Sequence, residues 1–313
     1  MIWSAASASL WRYLTPLERK STQGLSMRPL NLLVLFCLFF HPAWPQDLSI
    51  VEKNSYLRQA NQYIEEGKLQ EAEDLLLDFV NIDDRHGGAH YLLGIALGGL
   101  GKLEKSEEHL LKALELDERL ATGCWKFLGI NAFNSGNLEK AKKYLNLFIK
   151  KAPSDPIGHL FLAQLAVAEQ KFTLAVEHFR QSEEFLDRDP QLKILFGQAL
   201  VESDQVEEGK RILLAIQSSD AQILFHLGIL LENLGLHVEA SDRFLKSRSE
   251  GYPEMNVVDY NLALTYFKIG ELEKSLPFLE AIVENRQADA QVHSLLGDVY
   301  RGLKQNEKAY SSF

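Results

Sequence analysis

The sequence predicts an all-α protein built from about eight helix–turn–helix repeats. Three observations support this prediction. A Gly-x-Leu phrase followed by Glu or Gln recurs with a spacing of 34 or 35 residues, at Gly67, Gly101 and Gly136, and returns at Gly270. Two positions in each period hold only small residues. The large apolar residues around them follow the 3-1-3 spacing of one helix face.

Composition narrows the class of protein. The chain has 313 residues, of which 46% are apolar and 24% charged, so neither wholesale disorder nor a multispan membrane protein fits. A net charge of −10 argues against non-specific nucleic-acid binding, which needs a surplus of Lys and Arg. Two cysteines are too few for a disulfide-built scaffold.

The N-terminal segment carries one apolar run, residues 32–40, behind Met27-Arg28-Pro29. A membrane-spanning helix needs roughly 20 apolar residues, whereas the apolar core of a secretory signal needs about 7–15. We therefore expect residues 27–45 to be a signal peptide, residues 1–26 an upstream extension that is not native, and residues 46–52 a linker. The expected location is the periplasm or the extracellular space.

Two alternatives remain open for this segment. An uncleaved run would anchor the protein in a membrane through residues 30–40, which is the only membrane contact we expect. Residues 1–26 also have some character of a mitochondrial transit peptide. They are rich in Ser and Thr, and they contain the basic residues Arg12, Arg19 and Lys20 but only one acidic residue.

The recurring phrase sets the register of the repeat array over residues 53–313. Residue 121 lies between the second and third units, and residue 255 lies between the sixth and seventh. The predicted units are 53–86, 87–120, 122–155, 156–189, 190–220, 221–254, 256–289 and a truncated 290–313.

The two small positions lie where the helices of one unit should cross, because a close crossing leaves no room for a side chain. With residues numbered from 1 within each unit, they are positions 8 and 20. Position 8 holds Ala60, Gly94, Gly129, Ala163, Gly197, Gly228, Ala263 and Gly297; position 20 holds Ala72, Ser106, Ala141, Ala175, Gly209, Ala240, Ser275 and Ala309.

These columns resemble the tetratricopeptide repeat (TPR), a helix–turn–helix unit of 34 residues. The resemblance covers residues 53–313. It implies a right-handed α-solenoid that binds proteins through a concave groove lined by the first helix of each unit. It also implies no catalysis and no cofactor.

Three units depart from the pattern. The seventh has Pro277 in its second helix, which should kink that helix or delay its start. The fifth has three residues fewer and places Gly209 inside its second helix, where Gly costs about 1 kcal/mol relative to Ala. We expect Gly209→Ala to stabilise the protein if that small position accepts a methyl group. The eighth unit ends at Phe313 in mid-helix, so we expect the natural protein to continue.

A second apolar stripe on the first helices is the candidate binding surface, at positions 5, 9 and 12 of the repeat. A contiguous apolar and aromatic lining is typical of a binding surface, although packing between neighbouring units explains it almost as well. The expected ligand is a protein or peptide with apolar anchors and basic flanks. The candidate residues are Tyr91, Ile95, Lys126, Ile130, Phe133, Phe225, Ile229, Tyr260, Leu264 and Phe267.

One subfunction of the family is excluded. Family members that grip the terminal carboxylate of chaperones use a Lys at position 5 followed by an Asn at position 9. Here Lys126 is followed by Ile130, and Asn61 is preceded by Leu57. The carboxylate clamp is therefore absent.

No motif predicts a metal site or a catalytic site. His86 and His90 are four residues apart, but position 4 of the repeat recurs as His at His90, His159 and His293, which a packing role explains. There is no Gly-rich phosphate loop, nucleophile elbow or paired-Cys motif. We predict neither a metal nor a cofactor.

The leading functional hypothesis is an exported, non-catalytic TPR scaffold. The alternative from another class is the N-terminal repeat arm of a larger enzyme whose catalytic domain lies beyond residue 313. A third reading is an assembly factor for envelope structures.

Overall fold

A computed structural model describes residues 49–312, in which every regular element is helical and no strand occurs. The predicted all-α fold of helix–turn–helix repeats is confirmed. Residues 1–48 and Phe313 lie outside the described part of the chain. The predicted upstream extension, signal peptide and first linker residues therefore lie there too.

The described part of the chain divides after residue 161 into two compact units, with the division inside one helix. Within the described part, consecutive helices of the first unit pack against each other in pairs. These helices are α1 (Ile50–Glu65), α2 (Leu69–Ile82), α3 (Gly87–Gly99), α4 (Leu103–Leu116), α5 (Ala121–Asn134), α6 (Leu138–Lys151) and α7 (Pro156–Ala168), with a short 3-10 turn at Glu118–Leu120 before α5.

The second unit continues the same alternation of helices. A short extra helix, α9, follows α8. The helices are α8 (Phe172–Arg180), α9 (Glu183–Leu186), α10 (Pro190–Glu202), α11 (Val206–Ala215), α12 (Ala221–Asn233), α13 (His237–Ser249), α14 (Met255–Ile269), α15 (Leu272–Glu284), α16 (Ala290–Gly302) and α17 (Asn306–Ser312).

The first helix begins earlier than the sequence predicts. Ser49 and Glu52 form a capping box, in which the Ser49 side chain accepts from the Glu52 N–H and the Glu52 carboxylate accepts from the Ser49 N–H. Residues 50–52, predicted to belong to the linker, are therefore helical.

The turn inside each repeat requires a left-handed residue. Gly67, between α1 and α2, has φ +73°, and no atom lies within 4 Å of the place where a Cβ would stand. A side chain would therefore have room here, and only the left-handed backbone conformation favours Gly at this position. Where a repeat lacks this Gly, Gln170, Asp204 and Lys304 take the same conformation with φ of 57°, 69° and 61°.

Close helix crossings explain the small residues at position 8. A Cβ on Gly94 of α3 would lie 2.6 Å from Cγ of Leu110 on α4. At the same crossing the Ser106 hydroxyl donates to the Gly94 carbonyl, with no exposed surface on Ser106. The two small positions therefore set the distance between the helices of a pair.

The shortened fifth repeat decides one conditional expectation. A Cβ on Gly209 would lie 2.8 Å from the Gly197 carbonyl oxygen and 2.6 Å from Cγ2 of Val201. Because one of these contacts is with rigid backbone of α10, the condition for a gain from Gly209→Ala, room for a methyl group, is not met, and this position requires Gly.

The second helix of the fifth repeat also ends early. α11 has 10 residues, whereas α4 and α6 have 14. Arg243 of α13 donates from Nη2 to the Leu214 carbonyl at 3.0 Å, which satisfies an acceptor in the last turn of α11. The following repeat thus completes the end of this short helix.

None of the described helices combines the length and the apolar character that a membrane crossing requires.

Candidate functional site

Tyr91, on α3, lies between two repeats. Its hydroxyl and ring edge occupy the space that a Cβ on Gly123 of α5 would need, and its ring meets Phe127 edge to face at 6.1 Å. Burial raises the pKa of Tyr91 to about 12. Since the ring is only half-buried, Tyr91 both packs the interface between the second and third repeats and presents part of its surface.

Lys126, on α5, is engaged within its own unit. Its Nζ lies 3.4 Å from Oδ2 of Asp155 and 5.5 Å from the centre of the Phe148 ring. The side chain is 19% exposed. Its charge is therefore shared with Asp155 and with an aromatic face rather than left free for a ligand.

Three of the predicted groove residues are buried. Ile130 has no exposed surface, and Ile95 and Phe133 are each 7% exposed. The Phe133 ring meets Phe161 edge to face at 5.2 Å. These side chains pack in the interior of the first unit, and a ligand could reach them only if the packing opened.

The predicted residues of the second unit keep part of their surface exposed. Phe225 of α12 packs against Phe244 at 5.5 Å and against Tyr252 at 4.5 Å, measured between ring centres. Ile229, one turn further along α12, lies at the edge of the same apolar cluster. Both side chains are half-buried, with one flank on the core.

A separate stripe runs along α14. Tyr260, Leu264 and Phe267 have the i, i+4, i+7 spacing of one helix face, and each is half-buried at the edge of an apolar cluster. The core stripe of the same helix, including Leu262 and Ala263, has no exposed surface. α14 contacts α13, α15 and α16, so the second stripe rests one flank on this cluster and presents the other.

Sequence reasoning missed a buried carboxylate on the first-helix face. Glu232 of α12, whose side chain is 9% exposed, accepts from His237 Nδ1 at 2.8 Å, from Lys268 Nζ at 2.5 Å and from the Thr265 hydroxyl at 3.3 Å. Burial opposes the charge, but the bonds from Lys268 and His237 outweigh it and lower the pKa of Glu232. The signal in the sequence is a Glu at repeat position 12, where five of the other repeats hold a large apolar residue.

A second missed feature is a pair of asparagines on α5. Asn131 is 3% exposed and donates from Nδ2 to the Ser106 hydroxyl at 2.7 Å. Within residues 49–312, the Oδ1 atoms of Asn131 and Asn134 are buried and accept no hydrogen bond. Because these atoms are inaccessible to solvent, they belong to the packed interior around α5 and a ligand cannot contact them.

Contacts within the second repeat explain His86 and His90, and burial explains the free thiol. His86 caps α3 by accepting from the Ala89 N–H at 3.2 Å, and His90 contacts His109. Across residues 49–312, no three His, Cys, Asp or Glu side chains are grouped as metal ligands. Burial raises the pKa of the Cys124 thiol to about 12, so at neutral pH this Cys is an unreactive thiol.

Comparison with known families matches two segments of the chain. Residues 87–119 and residues 128–192 each match a model described as a tetratricopeptide repeat. These segments cover the predicted second to fourth repeats. No curated protein matches the sequence.

Several solved structures are similar in fold. PilF of Pseudomonas aeruginosa is 18% identical with a TM-score of 0.50, and the match covers 70% of this chain and 96% of that chain. MamA from Desulfovibrio magneticus RS-1 is 16% identical with a TM-score of 0.43, over 51% of this chain and 89% of that chain.

A chain of the Naa15/Naa10 complex bound to HypK is 14% identical with a TM-score of 0.45, over 79% of this chain. The match spans 39% of the length of that chain.

The small residues at the crossings, the left-handed turns and the two matching segments lead to one conclusion. The match to PilF supports the same fold over a larger part of the chain. Residues 87–119 and 128–192 of this chain are tetratricopeptide repeats, and the described helix pairs on either side of them have the same helix–turn–helix fold.

Proposed function

We propose that this protein is a non-catalytic scaffold that binds a protein partner along the first-helix face of its second unit. The stripe of Tyr260, Leu264 and Phe267 on α14 carries this proposal. It is apolar and half-exposed, and it is distinct from the core stripe of the same helix. Phe225 and Ile229 extend the same kind of surface on α12.

The proposed partner presents an extended or helical peptide with apolar anchors and basic flanks. Aromatic and large aliphatic side chains that are half-buried lose little rotamer freedom on binding, which favours them as anchors. The net charge of −10 steers basic partners towards the protein and repels acidic ones from most of its surface. In the first unit, Tyr91 presents part of its surface for the same kind of contact, whereas Lys126 is paired with Asp155.

A peptide-display selection against the full chain tests this proposal. We expect the selected peptides to contain apolar anchors beside Lys or Arg. Their affinity should fall roughly tenfold or more in Tyr260→Ala and in Phe267→Ala, because central aromatic contacts contribute about 2 kcal/mol each. Melting temperatures of both variants should stay close to that of the unaltered protein.

Tyr310→Ala is the matched control, since Tyr310 is an aromatic residue of the same unit that is 84% exposed. Its replacement should leave peptide affinity unchanged. Equal losses in Tyr310→Ala and Tyr260→Ala would mean that the selected peptides bind aromatic surface without regard to site, and the proposal would fail.

We further propose that the protein is exported, with cleavage near residue 45. The support is the apolar run of residues 32–40 behind a short basic start. N-terminal sequencing of the protein purified from its natural host tests this. A mature chain that retains Leu32–Phe40 would support the anchored alternative instead.

A further inference from the structure

Helix α6 has the opposite charge from the chain as a whole. Its fourteen residues include five lysines and one glutamate, in a protein whose net charge is −10. α6 is the second helix of its repeat and therefore does not belong to a first-helix face. No part of the proposed function uses it.

The lysines lie on the outer face of α6. Ala141, Leu145 and Phe148 form its buried face. Lys143 and Lys150 are seven residues apart, two turns along the opposite face, which places them about 10 Å apart along the helix axis. Lys151 lies on the flank of the same face, and all three lysines are exposed.

These three lysines are not neutralised by the rest of the described chain. Among residues 49–312, Lys143, Lys150 and Lys151 form no salt bridge. Lys143 lies over the Tyr144 ring at 5.6 Å, which orders the side chain and leaves its charge uncompensated. Lys140 differs from them, because it contacts the Glu107 carboxylate at 2.9 Å.

The border of this basic strip limits the shape of what it can bind. The neighbouring α4 carries four glutamates and two lysines, and the ion pair from Lys140 to Glu107 joins the two helices. Glu104 and Glu108 of α4 are exposed. A wide anionic surface laid on α6 would also meet these carboxylates and be repelled, whereas a narrow chain of negative charge would not.

We propose that the outer face of α6, defined by Lys143, Lys150 and Lys151, docks an acidic linear segment of a protein partner. The row from Lys143 to Lys151 is about 12 Å long, and an extended segment of about four residues spans this length. The α6 strip binds acidic segments, whereas the partner proposed for the first-helix face of the second unit is basic. One scaffold would thus hold two partners of opposite charge.

The test measures binding of a fluorescein-labelled peptide of alternating Glu and Ser residues to the full chain by fluorescence anisotropy. We expect Lys143→Gln/Lys150→Gln/Lys151→Gln to weaken binding roughly tenfold at about 50 mM salt, where screening of exposed charges is modest. The corresponding Lys→Arg triple variant should retain affinity within about twofold, because it keeps the three charges.

A matched control removes the same number of charges elsewhere. Lys105, Lys246 and Lys304 are exposed and form no salt bridge among residues 49–312. Replacing all three by Gln should change affinity by less than about twofold. An equal loss in this control would show that the peptide responds to net charge alone and would overturn the proposal.

Three other results would also overturn it. Unchanged affinity in the Gln triple variant would place the peptide elsewhere. Lysine-dependent flotation with phosphatidylcholine vesicles that contain phosphatidylserine would assign the strip to a membrane. Lysine-dependent self-association in sedimentation would assign it to a second copy of this chain.

Stability is measured in parallel, because Lys150 and Lys151 lie in the last turn of α6 and favour the helix dipole. The single variant Lys143→Gln lies outside that turn. It should weaken peptide binding about two- to fivefold with an unchanged melting temperature. An unchanged affinity in this variant would count against the proposal.

Discussion

His90 and His109 face each other with their Nδ1 atoms 2.8 Å apart and their rings nearly parallel. His90 Nε2 lies 2.9 Å from the Asp84 carbonyl oxygen, which can only accept. His90 Nε2 therefore carries a proton and donates, and His90 Nδ1 accepts from the Nδ1–H of His109. The pair joins the first and second helices of the second repeat, and His90 must be neutral to accept at Nδ1 while it donates from Nε2.

The stability of the protein should fall as this pair is protonated. Burial lowers the pKa of His90, and burial followed by the neighbouring His90 lowers the pKa of His109. A histidine with a lowered folded pKa takes up its proton first in the unfolded chain. The free energy of unfolding should therefore be highest above about pH 6.5 and decline as the pH falls from there towards the folded values.

Urea unfolding across this pH range provides the measurement. His109→Asn keeps an N–H near the position of Nδ1 and removes the titration, so its decline should be shallower. His293→Asn, at the same repeat position as His90, is the control and should decline as the unaltered protein does. A decline of equal slope in His109→Asn would show that the pair does not control this dependence.

Gly209→Ala should destabilise the protein. The methyl group would lie 2.8 Å from the Gly197 carbonyl oxygen, so α10 and α11 would have to separate. We expect a loss of about 1–3 kcal/mol, larger than the gain in helix propensity of about 1 kcal/mol. Chemical unfolding measures this change, and an increase in the unfolding free energy would contradict the crossing geometry.

Phe133→Ala should act on stability and not directly on binding. Phe133 is 7% exposed and contacts Phe161, so truncation leaves a cavity that costs about 3–5 kcal/mol. Tyr260→Ala, on the half-exposed stripe, should cost much less. Unfolding of the two variants under the same conditions decides this. A Phe133→Ala variant as stable as the unaltered protein, with lost peptide binding, would return Phe133 to the ligand surface.

Residues 190–220 should exchange amide hydrogens faster than α4 and α6. The second helix of this repeat, α11, has 10 residues, and Arg243 of the next repeat is needed to satisfy its Leu214 carbonyl. Repeats that contact only their neighbours open locally where one of them is weak. Hydrogen exchange read by mass spectrometry tests this, and slower exchange in 190–220 would exclude a weak fifth repeat.

The sequence alone predicts the helix pairs because their signals are local and repeated. The Gly residues at the turns, such as Gly67, and the small residues at the crossings, such as Gly94, recur with the period of the repeat. Each copy makes the same steric demand, so several copies reinforce one interpretation. Gln170, Asp204 and Lys304 show the limit of this signal, since they adopt the left-handed conformation without Gly. Local backbone hydrogen bonds close these turns as well.

Tertiary structure alone decides which apolar residues remain at the surface. Ile130 and Leu264 occupy the same repeat position, yet Ile130 has no exposed surface and Leu264 is half-buried. Repeat position determines the direction of a side chain from its helix. Its exposure depends on the size and reach of side chains on the helices packed beside it, and these come from residues distant in sequence.

For the same reason, the contacts of Gly209, Glu232 and the lysines of α6 could not be predicted from the sequence. The periodicity marks Gly209 as a small position, but only the distance to the Gly197 carbonyl shows that a methyl group does not fit. The lysines of α6 are evident in the sequence, whereas their lack of salt-bridge partners within residues 49–312 depends on which carboxylates the fold brings near. A sequence pattern determines the face on which a residue lies, and packing in three dimensions decides what it meets there.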